Sequence, residues 1–314
     1  MSIYISGSLA YDRIMTFPGH FRDHIIPEKL HIINISFMVE RMEEKRGGCA
    51  GNIAYTLALL GEKPKILASV GKDFGPYEDF LAGLDLPLDG LRRDAELFTA
   101  LSYVTTDLQG NQITGFYPGA MTLPCEYAFP CVQPQTDIAL VSPGNLDDMR
   151  ALPRYYRQQG VRYIYDPGQQ IPVLTGEELL DAVAGSFVLA ANDYELDMIC
   201  KAAGKTKAEL QQLTRWIVTT YGAAGCSVSG ETHTDVPAVP PLRLAEPTGA
   251  RETPTARASS RALRRVFPFR TPSAWAPLAP VSPLRNTAPR CTPSTPGAFW
   301  NAMKRRSARS TRRS

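Results

Sequence analysis

Short apolar runs alternate along this chain with segments of helical spacing. Ile3–Ser6, Lys65–Val70, 137–141, Arg162–Tyr165, 187–191 and Trp216–Thr220 are brief and rich in apolar or β-favouring residues. Such runs predict strands buried on both faces. Residues 52–60, 147–159 and 195–203 predict helices. Strand and helix in alternation predict an α/β fold with a mostly parallel sheet. Right-handed crossovers then wind it doubly, with helices on both faces. Ligands of such sheets sit beyond the C-terminal strand ends.

Two stretches depart from the alternation. Residues 11–17 with 33–39 form one, and 97–117 the other, with Asp107-Leu-Gln-Gly110-Asn111 as a hairpin-like turn. They predict a small antiparallel β lid, with strands within 8–17, 33–41 and 97–117. After residue 250 the pattern stops. Residues 251–314 hold nine Pro, 15 Ser or Thr, 13 Arg and one Lys against a single acid, a net charge of +13. The first 250 residues hold 20 bases and 30 acids, a net of −10. The division predicts a folded domain over 1–250 and a disordered cationic tail over 251–314.

Composition excludes other classes. Hydrophobic residues make up 44% and charged residues 21% of the 314, which is ordinary for a globular chain with a core. No run approaches the ~18 apolar residues of a membrane span. The N-terminus has neither a basic region nor a long apolar run, so a cytoplasmic chain is expected. The six cysteines, at 49, 125, 131, 200, 226 and 291, form no CxxC pair. Isolated thiols fit that spacing better than a disulfide frame or a zinc site. His20 and His24 are four apart, but no third ligand lies near them, so a solvated or packed pair is expected.

Five segments carry candidate chemistry. Gly47-Gly48-Cys49-Ala50-Gly51-Asn52 opens a helix with adjacent glycines, which let a ligand approach the backbone. Asp12 follows the first strand, where a carboxylate can accept two hydrogen bonds from vicinal hydroxyls or cap a turn. Asn192-Asp193-Tyr194-Glu195 follows a late strand; it reads as a capping box or as a place to order metal-bound water. Thr220-Tyr221-Gly222-Ala223-Ala224-Gly225 is a glycine turn after the next strand. There is no Walker A sequence, which excludes a P-loop kinase on motif grounds. Glu246-Pro247-Thr248-Gly249-Ala250-Arg251-Glu252 is the last.

The register from Gly47 through Gly61 to Gly71-Lys72-Asp73 resembles the first signature of the PfkB family, which includes ribokinase, fructokinases and adenosine kinase. The resemblance spans residues 1–250 and implies a ribokinase-like fold and ATP-dependent phosphoryl transfer to a sugar hydroxyl. It implies that Asp12, Gly47, Gly48 and Asn52 bind the acceptor. It assigns Asn192, Glu195, Thr220, Gly222, Gly225, Gly249 and Ala250 to the nucleotide, with Glu195 placing Mg²⁺ through water. Phe116 and Tyr117, near the lid, favour a nucleoside such as adenosine over ribose or another sugar, by stacking a base; packing within the lid is the plain alternative. A homodimer through the lid is a further expectation.

The last segment departs from the family. Its second signature runs Asp-Pro-x-Gly-Ala-Gly-Asp, in which a helix N-terminus forms an anion hole and the final Asp is the base. Here Arg251 replaces the second Gly and Glu252 replaces the Asp, and Pro254 opposes a continuing helix. Glu252 remains as a weak stand-in for the base, and the chain as it stands is expected to be impaired. Permitted codons for 250–263, reread after dropping two bases, give Ala-Gly-Asp-Ala-Tyr-Arg-Ala-Gly-Leu-Ile-Lys-Gly-Leu. The reread peptide restores the signature and starts an amphipathic helix, so a shifted reading frame is expected after Ala250. Two rival functions accompany the kinase: a nucleoside binder without turnover, and nucleic-acid binding through the Arg-rich tail, which salt dependence would identify.

Overall fold

The computed structural model describes residues 1–25, 27–32 and 34–238. Among these, nine strands form one sheet and four form another. The large sheet contains β1 (Ile3–Ser6), β4 (Lys65–Val70), β5 (Leu91–Arg93), β8 (Ile138–Val141), β9 (Arg162–Tyr165), β10 (Val188–Asn192), β11 (Trp216–Thr220), β12 (Cys226–Ser229) and β13 (His233–Val236). The small sheet contains β2 (Ala10–Thr16), β3 (Arg41–Gly47), β6 (Ala100–Thr106) and β7 (Gln112–Tyr117). The helices are α1 (Cys49–Leu59), α2 (Gly75–Gly83), α3 (Leu146–Gln159), α4 (Gly176–Val183), α5 (Asp193–Ala203) and α6 (Lys207–Gln211).

The large sheet runs β13-β12-β11-β10-β9-β8-β1-β4-β5. It is parallel from β5 to β11, and β12 and β13 add an antiparallel edge. Apart from the short β5 at its edge, buried apolar runs of four to six residues explain its parallel part. Tyr163 and Tyr165 of β9 join the cluster that includes Met149, Leu152, Leu179, Leu196 and Ile199 of α3, α4 and α5. Ile3 and Ile5 of β1 join the cluster on the other face, with Ala50, Ala54, Tyr77 and Leu81 of α1 and α2. Among the described residues a third buried cluster, Ile138, Ile164, Val188, Ala190, Val218, Cys226 and Val228, is drawn from strands.

Local signals set the helix ends. Asn145 caps α3 by accepting from Asp147 N and Asp148 N, and Gly160 ends it at φ 69°. Thr175, Asn192 and Thr206 each form a reciprocal capping box with the Glu three residues on.

The lid differs from its sequence reading in two ways. Its order is β3-β2-β6-β7, and the central β2–β6 pair is parallel, so the lid is mixed rather than antiparallel. The strand placed at 33–41 is instead β3, over 41–47; residues 34–39 form no regular element. Apolar content misled here. Phe37 packs against Phe17 and Phe21, whereas the strand itself is Arg-Met-Glu-Glu-Lys-Arg-Gly and largely solvated. The β6–β7 turn does form, with Asp107 Oδ1 accepting from Gln109 N and Asn111 N at 2.9 Å each. His24 packs edge-on against Phe17 and Phe37. Among the described residues no disulfide joins Cys49, Cys125, Cys131, Cys200 or Cys226. No described helix is long and apolar enough to cross a membrane.

Candidate functional site

Strand order reverses at β1: β4 and β5 lie on one side, and β8 to β11 on the other. The crevice at such a reversal is where an open α/β sheet admits a ligand. Here it is built from three backbone segments. Ser8 N donates to Pro143 O at 2.9 Å, and Ser142 Oγ donates to Ser6 O at 2.8 Å. Cys49 N donates to Ser8 Oγ at 2.9 Å and Ala50 N to Ser8 O at 3.0 Å. Ser8 therefore satisfies two of the first N–H groups of α1, which leaves less of that helix end open to an anion than its glycines suggest.

Asp12 lies on β2, opposite Lys45 of β3 and Ser102 of β6. Gly47 makes room for it: a Cβ built on Gly47 would overlap Asp12 Oδ2 and stand 3.1 Å from Cγ. Gly48 sits at φ 87°, where its Cβ would meet Ala10 N at 2.8 Å. The structure thus brings Asp12, Gly47 and Gly48 together. Asn52, one turn into α1, lines a neighbouring cavity with Tyr11 and Tyr77. Phe116 stands opposite Ser102, so Lys45, Asp12, Ser102 and Phe116 form one row across the same face of the lid. The Phe116 ring is 54% exposed, so packing within the lid does not consume it.

The second group lies along the same edge of the sheet. Asn192 ends β10 directly beside Thr220, which ends β11. Asn192 Oδ1 accepts from Glu195 N at 2.7 Å, and Glu195 Oε2 accepts from Asn192 N at 2.8 Å. The capping box is real, and Glu195 is held at the strand end by it. In the loop after β11, Gly222 has open space around it, whereas Gly225, at φ 101°, packs against the end of β13. Gly222 is thus the glycine open to a ligand, and Gly225 serves the backbone. Gly249, Ala250 and Glu252 lie outside the described residues.

Two residues went unassigned in the sequence. Asp166 follows β9, between the two groups, and its N–H donates to Val141 O at 2.9 Å. Burial, and then the charge of Glu195, push its carboxyl up to about 7. The signal available was its place at the C-terminal end of a buried strand; Asp-Pro-Gly reads first as a turn. Gln169 places Nε2 3.8 Å from Cys49 Sγ, over the glycine loop, while Gln170 Nε2 donates to Gly144 O at 3.2 Å. Asp166 and Glu195 lie at neighbouring strand ends, and burial first and then the charge of Glu195 raise Asp166; a divalent cation there would relieve both.

From β1 to β10 is three strand spacings, about 14 Å, with Asp166 between them. The arrangement offers a carboxylate set against paired glycines at one end, a glycine loop and capped helix at the other, and an acid in the gap.

The family model for pfkB family carbohydrate kinases matches residues 19–250. The chain is 34% identical to the nucleoside kinase of Burkholderia thailandensis, solved with inosine; 83% of this chain and 84% of that one are covered, at a TM-score of 0.70. It is 27% identical to a nucleoside kinase of Methanothermobacter thermautotrophicus over 248 residues, 77% of this chain and 80% of the relative. Arabidopsis thaliana ribokinase, solved with ribose and ATP, shares the fold at a TM-score of 0.64, with 16% identity over 84% of this chain and 86% of its own.

Proposed function

Since this chain belongs to the pfkB family of carbohydrate kinases, we propose that it transfers the γ-phosphoryl group of ATP to the ribose 5′-hydroxyl of a nucleoside. It is a sugar or nucleoside kinase, a transferase. The observation that carries the finer reading is the row Lys45, Asp12, Ser102 and Phe116. A carboxylate for a diol and an exposed aromatic ring two strands away suit a ribose that bears a base. A free sugar would leave Phe116 without a partner. The inosine bound by the Burkholderia relative supports the same choice.

In this reading Asp12 accepts from two ribose hydroxyls, and Gly47 and Gly48 let the sugar lie against the backbone. Asn52 completes the acceptor side. The nucleotide lies over Thr220 and the open turn at Gly222, with its phosphates directed toward Asp166. Asp166 and Glu195 fit Mg²⁺, held through water, which would supply charge neutralisation at the phosphates. The chain's own part is mainly positioning: it aligns hydroxyl and phosphoryl group and keeps water out beneath the lid. In the 314-residue chain Glu252 is only a weak stand-in for the family's Asp as base. β7, exposed at every residue, is the lid edge through which two copies would pair.

The same proposal holds that the chain is out of frame from residue 251. The break in the family's second signature after Ala250 supports it, because the reread sequence restores that signature and begins an amphipathic helix. The test measures ADP release with MgATP and adenosine, guanosine, cytidine or ribose. It compares the 314-residue chain with a version carrying the reread C-terminus. Activity on nucleosides only in the reread protein is the expected result. Equal activity in both overturns the reading-frame account and leaves Glu252 as a working base. Turnover of ribose alone overturns the nucleoside reading.

A further inference from the structure

A cavity of about 420 Å³ lies beside β3, between that strand and the helices α1 and α2. Such a volume is within the ~300–1,000 Å³ of small-molecule sites. Its walls include Tyr11, Glu44, Arg46, Tyr55, Tyr77 and Phe80. β3 is an outer strand of the lid sheet. Tyr11 stands opposite Arg46, and Arg13 opposite Glu44, one residue out of phase with the Asp12–Lys45 pair. Side chains one residue apart leave opposite faces of a strand. Tyr11, Glu44 and Arg46 therefore belong to the face that turns away from the carboxylate of Asp12, whereas Lys45, on Asp12's own face, also lines the cavity. Asn52 lines it too, so the two places adjoin.

We propose that this cavity is a second ligand site, for a planar aromatic anion of the nucleoside monophosphate class. The choice of class rests on the nucleoside-kinase reading, because that class is the product of the reaction. Arg46 supplies the anion contact. Its guanidinium lies 4.7 Å from the centre of the Phe80 ring, and its one hydrogen bond, to Pro76 O, is long at 3.4 Å. Among the described residues no carboxylate pairs with it. Glu44, the acid in the wall, is taken by Arg13 Nε at 2.8 Å. A guanidinium already oriented on an aromatic face, and without an acid, is prepared for a phosphate. The base has its own wall. The rings of Tyr55 and Phe80 lie 5.8 Å apart, and those of Tyr77 and Phe80 6.2 Å apart, and Tyr55 is 41% exposed.

The site is mechanically joined to the acceptor crevice. Tyr77 Oη donates to Gly47 O at 2.9 Å. Gly47 is the residue against which Asp12 rests. A ligand that shifts Tyr77 would also shift Gly47, and by linkage any effect of one ligand on the other is reciprocal.

Isothermal titration calorimetry of adenosine monophosphate into the full 314-residue chain tests this, using wild type, Arg46→Gln and Asp12→Asn. The expected result is binding that survives Asp12→Asn and weakens about tenfold or more in Arg46→Gln, the loss that goes with a charged hydrogen bond. Both variants keep the thermal midpoint of the wild type, which separates binding from folding. Binding lost in Asp12→Asn but kept in Arg46→Gln puts the ligand in the acceptor crevice and overturns the proposal. Binding indifferent to both puts it at the nucleotide loop and overturns it too, as does an absence of binding in the wild type. Adenosine titrated alone tests the kinase reading separately. If adenosine fails to bind while adenosine monophosphate still depends on Arg46, the site stands and the acceptor reading falls.

Discussion

Replacing Gly47 with alanine isolates the geometry of the acceptor pocket. Gly47 is absent from the glycines with positive φ, so alanine meets no backbone strain there. Its Cβ would overlap Asp12 Oδ2 and stand 3.1 Å from Cγ. Carbon–carbon contacts settle near 3.5–4.0 Å, so the carboxylate must retreat on the order of 0.5–1 Å. Misplacement on that scale costs about 100-fold where a reacting group is concerned. Weakened charge-assisted hydrogen bonds to two hydroxyls lower affinity by about 10–100-fold. Adenosine affinity by calorimetry, together with kcat/KM for adenosine and KM for ATP, reads the effect, all in the version carrying the reread C-terminus. The acceptor terms worsen while the ATP term holds, because Thr220 and Gly222 lie about three or four strands away. Gly83→Ala is the control: its Cβ meets nothing within 4 Å, and both substrates are unaffected. Adenosine affinity within about twofold of wild type in Gly47→Ala refutes the placement of the sugar against Asp12.

Three other outcomes are expected. Asp166→Asn raises the Mg²⁺ concentration needed for half-maximal MgATP binding by about tenfold or more; an unchanged requirement removes Asp166 from the phosphate end. Asn192→Ala costs about 1 kcal/mol of stability through the lost cap and also weakens ATP binding. Asn192→Asp restores the midpoint in denaturant, and full recovery of ATP affinity along with it would mean that the residue acts only as a cap. Burial pushes the Asp148 carboxyl up to about 7, against the hydrogen bond it accepts from Cys125 N at 2.9 Å. The native state then holds a proton that the unfolded chain releases near the ordinary Asp value, so stability is greatest below about pH 4 as far as this group is concerned and falls as pH rises to about 7. Comparing denaturant midpoints from pH 4 to 8 for wild type and Asp148→Asn checks this: the variant has the shallower slope, and equal slopes refute it.

The legibility of this chain followed burial. Strands closed in on both faces, such as β1, β4, β9 and β11, show as short apolar runs, and their bounds match the sequence reading. β3 failed because an outer strand of a solvated lid has no apolar period to display; its Arg-Met-Glu-Glu-Lys-Arg run carries pairing in the backbone alone. The parallel pairing of β2 with β6 was out of reach for a related reason, since partner choice is set by 83 intervening residues rather than by either strand. α2 and α4 show little helical period in the sequence because each is only about two to two and a half turns long.

The site divides along the same physical line. Glycine loops and caps are local, so Gly47-Gly48 and the Asn192–Glu195 box could be read from neighbouring letters. Asp166 could not, because its character comes from β8 and β10 on either side and from Glu195 across the gap. That placement also gives the strongest reason to treat the two halves as one site. An ordinary carboxyl at a strand end would stay ionised and solvated. One raised to about 7 beside a second acid stores unfavourable charge in the gap between the paired glycines and the glycine loop. On the proposed reading, a bound cation and phosphate would offset that cost, which Asp166→Asn tests through its Mg²⁺ requirement.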